Sequence, residues 1–193
     1  MSARDTLIEQ LREHALVIGD VVLTSGKRAS YYVDTKRAIL LPTGFAALGE
    51  LLAAQAREWG ATAVGGMTMG ADAPACAALA GGADCKAFFV RKEVKQHGLS
   101  RRIEGPLLDP SDRCMVVEDV TSTGGSAIAA IAALQEAGNT ICGVVTILDR
   151  LMGARKAIAA ATDAPYVALT TIDDVYPERP GSSPARPAAD RLL

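Results

Sequence analysis

Apolar positions follow two rhythms along this chain, and the rhythms alternate. Leu7, Leu11, Ala15 and Ile18 recur at helical spacing, which predicts a helix over residues 3–18 ended by Gly19. Residues 20–40 read as extended, with a turn at Ser25-Gly26-Lys27. Pro42-Thr43-Gly44 opens a helix running to about Trp59, and Gly60 stops it. Strand and helix patterns then take turns. Strands are expected at 61–69, 86–90, 113–118, 141–148 and 166–171, and helices at 73–79, 126–137 and 151–161. This alternation predicts an α/β fold with a central parallel sheet covered by helices on both faces. Residues 91–110 interrupt it without any apolar periodicity, and a long connection of that kind is usually functional. From Pro177 onward the chain is rich in Pro, Ser and Arg, so poor order is expected there.

One strand carries chemistry at its end. In Val116-Val117-Glu118-Asp119-Val120-Thr121-Ser122-Thr123-Gly124-Gly125-Ser126, a β-branched run closes on two adjacent carboxylates. A loop of hydroxyl residues and glycines follows, then the start of a helix. Backbone N–H groups at such a turn converge, and the helix dipole makes the place positive, so it suits a phosphate. The carboxylates cannot bind phosphate. They suit sugar hydroxyls, or a magnesium ion carried by the ligand. A ribose with a phosphate on one end is the ligand these residues describe. There is no Gly-Lys-Ser/Thr ending and no Gly-x-Gly-x-x-Gly, which sets aside a Walker loop and a dinucleotide fingerprint.

A second cluster lies in the interrupting segment. Arg91-Lys92-Glu93-Val94-Lys95-Gln96-His97-Gly98 holds three cations and a histidine within seven residues, in a chain of net charge −2. Such a concentration suits a polyanion such as diphosphate. Gly98, Gly105 and Pro106 suit a lid that closes over substrate. Taken alone, the run is equally well read as a solvated surface loop.

Together these motifs resemble those of the orotate phosphoribosyltransferases, a branch of the type I phosphoribosyltransferases, over roughly residues 5–175. The resemblance implies one phosphoribosyltransferase domain over 1–176, with a small N-terminal hood at about 1–40, a core at about 41–172 and a flexible tail at 177–193. It implies that Glu118 and Asp119 face the ribose hydroxyls, that Val120 and Thr121 to Ser126 wrap the 5′-phosphate, and that Arg91, Lys92, Lys95 and His97 bind diphosphate. Lys95, Asp119 and Glu118 are the expected catalytic residues. Leu23 to Asp34 resembles the hood segment whose paired aromatics line the base pocket, here Tyr31 and Tyr32. In an extended segment their rings point to opposite faces, so at most one stacks on a pyrimidine. Arg150 follows a strand and Asp149; its guanidinium matches the carboxylate that orotate has and uracil lacks. Ser122 would join it on the orotate side. The chain departs from the family pattern at Thr24 and Ala71, where lysines are common, and mildly at Ser122, where threonine is.

The implied activity is transfer of the 5-phosphoribosyl group from 5-phosphoribosyl 1-diphosphate to orotate, with Mg2+ carried by the diphosphate near Asp119 and no direct protein metal site. A homodimer whose lid, residues 91–106, serves the neighbouring subunit is implied as well. Alternatives are a uracil or purine phosphoribosyltransferase, or a nucleotide-sensing RNA-binding regulator on the same fold. Outside the lid the cations are dispersed, which argues against a nucleic-acid surface. Four cysteines without metal-ligand spacing and only two histidines argue against structural zinc. Charges at Arg4, Asp5 and Glu9 are unlike a signal peptide, and no apolar run approaches a membrane span. A cytoplasmic enzyme without a fused decarboxylase domain is the expectation.

Overall fold

The computed structural model describes residues 1–22, 28–93 and 102–180. Its centre is a six-stranded sheet of β3 (Ala63–Met67), β4 (Lys86–Val90), β5 (Ile103–Glu104), β6 (Arg113–Thr121), β7 (Thr140–Asp149) and β8 (Tyr166–Thr171), in the order β5-β4-β3-β6-β7-β8. All neighbours are parallel except the short edge strand β5, which runs against β4. A hairpin of β1 (Leu16–Val22) and β2 (Arg28–Val33) forms a separate small sheet at the N-terminal end.

The helices are α1 (Ala3–Gln10), α2 (Lys36–Ile39), α3 (Pro42–Trp59), α4 (Asp72–Ala80), α5 (Gly125–Glu136), α6 (Ala154–Ala159) and α7 (Ile172–Val175). The sheet separates two apolar clusters. Leu48, Leu52 and Ala53 of α3 and Ala75, Ala77 and Ala78 of α4 join Val64, Met115, Val117 and Val145 on one face. Ala127, Ala130, Ile131 and Leu134 of α5 join Phe88, Cys114, Val116 and Val144 on the other. The strands are covered on both faces, which is why they read as continuous apolar runs.

The chain passes from β3 through α4 to β4 and β5 on one side, then returns to lay β6 on the other side of β3. Strand order therefore reverses between β3 and β6. A crevice opens at such a switch point beyond the carboxyl ends of the strands. Glu118 and Asp119 stand at that end of β6, and residues 68–71 leave the same end of β3.

Several expectations need correction. The first helix stops earlier: α1 passes into a π-helical turn at Leu11–Ala15, and Leu16 to Ile18 belong to β1, with Ile18 64% exposed. Residues 20–40 are not wholly extended, because Asp34 and Thr35 lead into α2, where four residues cannot display a period. The long connection after β4 holds β5, and Ile103 and Leu108 pack on the α5 side of the core. The first tail residues are anchored: Arg179 pairs with Asp173 and its guanidinium donates to the Tyr176 carbonyl at 3.3 Å. The rest of the tail, 181–193, lies outside the described residues, as do the turn at 25–27 and Thr24.

The two ends of the described chain are tied together. Arg4 donates to the Asp174 carboxylate at 2.8 Å and to the Leu169 carbonyl at 2.9 Å, and Arg12 donates to the Asp174 carbonyl. Asp174 also closes a capping box with Thr171 at the start of α7. Burial opposes the charge of Asp174, but its bonds to Thr171 and Arg4 outweigh burial and hold its pKa below the usual value. A lowered folded pKa contributes stability above the unfolded value near 3.8 and loses it as pH falls through the folded one. Asp174→Asn is therefore expected to cost about 1–3 kcal/mol at pH 7. In urea unfolding monitored at the single Trp59, the gap from the parent should narrow as pH is lowered below 3.8. A gap that persists unchanged there would show that the charge is not what holds α7.

Candidate functional site

Two adjacent carboxyls are buried where β6 ends: Glu118 is 7% exposed and Asp119 is 6% exposed. The bare α-carbon of Gly70 sits against both, since a Cβ there would lie 2.7 Å from an oxygen of each. Asp119 Oδ1 accepts the Val120 N–H at 2.8 Å, and its Oδ2 accepts the ammonium of Lys36. Glu118 Oε2 is buried without a partner among the described residues. Burial, then the charge and hydrogen bonding of Asp119, push the Glu118 carboxyl up to about 8, against the opposing pull of Lys36 and Lys92. Around neutral pH the free site thus keeps a proton on Glu118.

Next to the pair, residues 121–126 form the turn into α5. Gly124 is the N-cap at φ 88°, a conformation that suits glycine, and no side chain caps the helix. The first N–H groups of α5 are therefore left to a ligand or water. A cavity of about 250 Å3 is lined by Glu118 and Val120 through Ala127. Within it the roles divide. Thr121 turns its hydroxyl into the core, donating to Thr146 Oγ1 at 2.7 Å, so it can offer the cavity only backbone. Val120 spends its N–H on Asp119. Thr123, Gly125 and Ser126 are exposed, and Ser122 is half-buried.

Around Arg150 the fold gathers residues from the ends of β7 and α7 and from β2. The backbone N–H of Arg150 donates to the Thr121 carbonyl at 2.9 Å, fixing it beside the phosphate turn. Preceding Asp149 accepts from the Leu151 N–H at 2.7 Å and the Tyr166 hydroxyl at 2.9 Å. The Arg150 guanidinium lies 5.7 Å from the centre of the Tyr31 ring, and its Nε is buried without a partner among the described residues. Tyr31 meets Tyr176 edge to face at 5.5 Å. Tyr32 points to the other face of β2 and is 41% exposed. Of the two tyrosines, Tyr31 is the one brought to Arg150.

A further cavity of about 580 Å3 is lined by Thr68, Met69, Phe89, Arg91, Lys92, Glu93 and Glu104. Arg91 is held by its backbone N–H to the Arg102 carbonyl at 2.9 Å and by Glu104 at 3.6 Å, with its Nε buried and unpartnered among the described residues. Lys95 and His97 lie outside the described residues. Sequence reasoning missed two residues here. Lys36 had only its place three residues after a strand to betray it, and Tyr176 lies beyond the last predicted strand. Among the described residues, the buried side-chain oxygens and nitrogens without partners belong to Thr35, Asp72, Arg91, Glu118 and Arg150. Three of these are predicted site residues, and Thr35 and Asp72 adjoin Lys36 and the residue 68–71 loop. Unsatisfied polar atoms are costly in a finished core and expected where a ligand completes the bonding.

A raised folded pKa on an acid gives stability that is full below the unfolded value and falls as pH rises toward the folded one. For Glu118 that window runs from about 4.5 to about 8. Glu118→Gln should therefore melt higher than the parent at pH 8 and nearly with it at pH 5, an advantage of about 1–3 kcal/mol at the upper end. Thermal unfolding at the two pH values checks this; an equal offset at both would mean that no proton is being held there.

No family model matches the chain. Curated relatives do. It is 47% identical over 176 residues to the orotate phosphoribosyltransferase of Corynebacterium glutamicum strain R, covering 91% of this chain and 95% of that one. The crystal structure of Mycobacterium tuberculosis H37Rv orotate phosphoribosyltransferase with Fe(III) dicitrate superposes with a TM-score of 0.82 at 39% identity, over 90% of this chain and 99% of that one. The same mycobacterial enzyme in complex with 5-phospho-α-D-ribosyl 1-diphosphate gives a TM-score of 0.77 at 36% identity, over 90% and 98% of the two chains. With a switch-point crevice, a type I phosphoribosyltransferase fold and relatives matched over nearly their whole length, the chain belongs to the orotate phosphoribosyltransferase family.

Proposed function

We propose that the crevice holds 5-phosphoribosyl 1-diphosphate across the switch point and orotate against the hood, and that the chain so produces orotidine 5′-phosphate and diphosphate. The observation that carries this reading is Arg150: a guanidinium nitrogen buried without a partner, under Tyr31 and beside the phosphate turn. Leaving such a group unpaired is expensive unless substrate supplies the anion. Orotate supplies a carboxylate; uracil and the purine bases do not, which favours orotate over those rivals.

In this reading the 5′-phosphate takes the N-terminus of α5 and the turn from Thr121 to Ser126, with Ser122 also reaching the orotate side. The ribose hydroxyls donate to Asp119 and Glu118. The C1–O bond to diphosphate breaks as N1 of orotate bonds to C1, and the N1 proton passes to water or the departing diphosphate. Positive charge then builds on the ribose, as in glycoside cleavage, beside two carboxyls. Negative charge builds on the departing diphosphate, where Arg91 and Lys92 are available, together with Lys95 and His97 of the lid. Magnesium enters this reading as cargo of the diphosphate. Among the described residues no group of three or more His, Cys, Asp or Glu could cage it, while Glu118 Oε2 and Asp119 offer carboxyl oxygens at the edge. When bound, the ion would neutralise diphosphate charge.

The lid, residues 91–106, serves the neighbouring site of a homodimer in this proposal, and the enzyme works in the cytoplasm, in keeping with four free cysteines. Among the described residues no helix is long and apolar enough to cross a membrane.

The test of the reaction is orotate consumption, followed by absorbance, which should require both magnesium and 5-phosphoribosyl 1-diphosphate. Constant absorbance with folded protein would overturn it. Arg150→Ala should weaken orotate by about 2–4 kcal/mol and the phosphoribosyl donor far less. Equal losses would make Arg150 structural.

Sharing of the lid has its own test. Lys95→Ala should lower kcat by about 10²–10³-fold, and Asp119→Asn should disable the ribose side. Mixed heterodimers of the two should recover towards half of the parent's activity, because one site receives both lesions and the other neither. Subunit exchange proved by mass with no recovery would place the lid in its own subunit.

A further inference from the structure

Lys36 opens α2, three residues after β2 ends, and crosses from the hood to the core to donate to Asp119 Oδ2. Its side chain is 39% exposed, against 9% for its partner. Burial opposes its charge, but the bond to Asp119 and the charges of Asp119 and Asp34 outweigh that and hold the ammonium above the ordinary lysine range. Lys36 and Lys92, from separate parts of the chain, both act electrostatically on Glu118. The loop that abuts the acid pair opposite the phosphate turn, Thr68-Met69-Gly70-Ala71, carries no cation of its own.

Asp119 has one oxygen taken by the Val120 N–H and the other by Lys36. A ribose hydroxyl that donates to Oδ2 competes for the seat of the ammonium. A half-buried ammonium released there needs another anion. The ligand brings one on C1 of the same ribose, at the end away from its 5′-phosphate, and a four-carbon stem lets a lysine follow it.

We propose that Lys36 is a transferable cation and a further substrate-binding residue of this site: paired with Asp119 while the site is empty, and handed to the diphosphate when the ribose takes Asp119. The proposal rests on the reading above of where the ribose lies. It gives the hood a part in binding the phosphoribosyl donor as well as the base.

Two ligands separate the possibilities, because 5-phosphoribosyl 1-diphosphate and ribose 5-phosphate share the sugar and the 5′-phosphate but only one has the diphosphate. Binding of each, with magnesium, is measured by calorimetry to the parent, Lys36→Met and Lys36→Arg. The expected result is a loss of about 10–100-fold for the diphosphate ligand in Lys36→Met, the scale of one charge-assisted contact. Ribose 5-phosphate should bind unchanged or tighter, because Asp119 is freed. Lys36→Arg, which keeps the charge, should stay within about 5-fold of the parent for both. Equal weakening of the two ligands in Lys36→Met would make Lys36 a prop for Asp119, and weakening of neither would leave it a counter-ion of the empty site. Either result overturns the transfer. If Lys36→Met does not fold, Lys36→Gln takes its place with the same readout. A parent that binds neither ligand would instead overturn the placement of the ribose.

Discussion

Two carboxyls on consecutive residues, each less than a tenth exposed, are what the rest of this structure has to accommodate. Burying one carboxylate is costly and burying two side by side is more so. The protein answers in three ways. Glu118 keeps its proton, Asp119 accepts a backbone N–H and a lysine, and the neighbouring loop offers Gly70, where a Cβ would crowd an oxygen of each acid. The lysine comes from the hood. The electrostatic problem at the end of β6 is thus also a contact between the small hairpin with α2 and the main sheet.

The sheet explains why the acids are there at all. Reversal of strand order between β3 and β6 splits the connections to either side and leaves the carboxyl ends of these strands uncovered. A glycine-capped helix starts on one side of the gap, and on the other lie a cation-poor loop and the cavity bounded by Arg91 and Lys92. Arg150 reaches the same opening because its backbone is bonded to Thr121. Glu118, Asp119, Arg150 and Lys36 are held near a strand end or by the first turn of a helix. Chain geometry is well determined at such places, and polar atoms can still face the outside.

The core of this arrangement was legible in the residues. The helix over 42–59 and the strands over 86–90 and 166–171 coincide with α3, β4 and β8, because long amphipathic periods and bounded β-branched runs are strong signals. The turn at 121–126 and the acids before it were legible as a strand end, a loop and a helix start because these occur in unbroken sequence. Elements too short to show a period were not legible: α2, β5 and α7 have four, two and four residues. The hydroxyl of Thr121 could not be assigned either, since only packing decides that it turns to Thr146. Lys36 was hidden for a different reason. Its partner lies 83 residues away, and no local pattern encodes a contact of that separation.

The tie between Arg4, Arg12 and α7 has a consequence for the order in which the molecule is completed. Its partners are 162 to 170 positions apart, so α1 waits for α7, which is made long after it. The sheet, its switch point and the phosphate turn are all synthesised before Tyr176 emerges to meet Tyr31. During synthesis the nascent chain can therefore form the turn at 121–126 before Tyr31 has its partner. Long-range closure of this kind is slow compared with local structure. A chain that stopped before Tyr176 would keep most of its core and lose the edge-to-face contact that backs Tyr31.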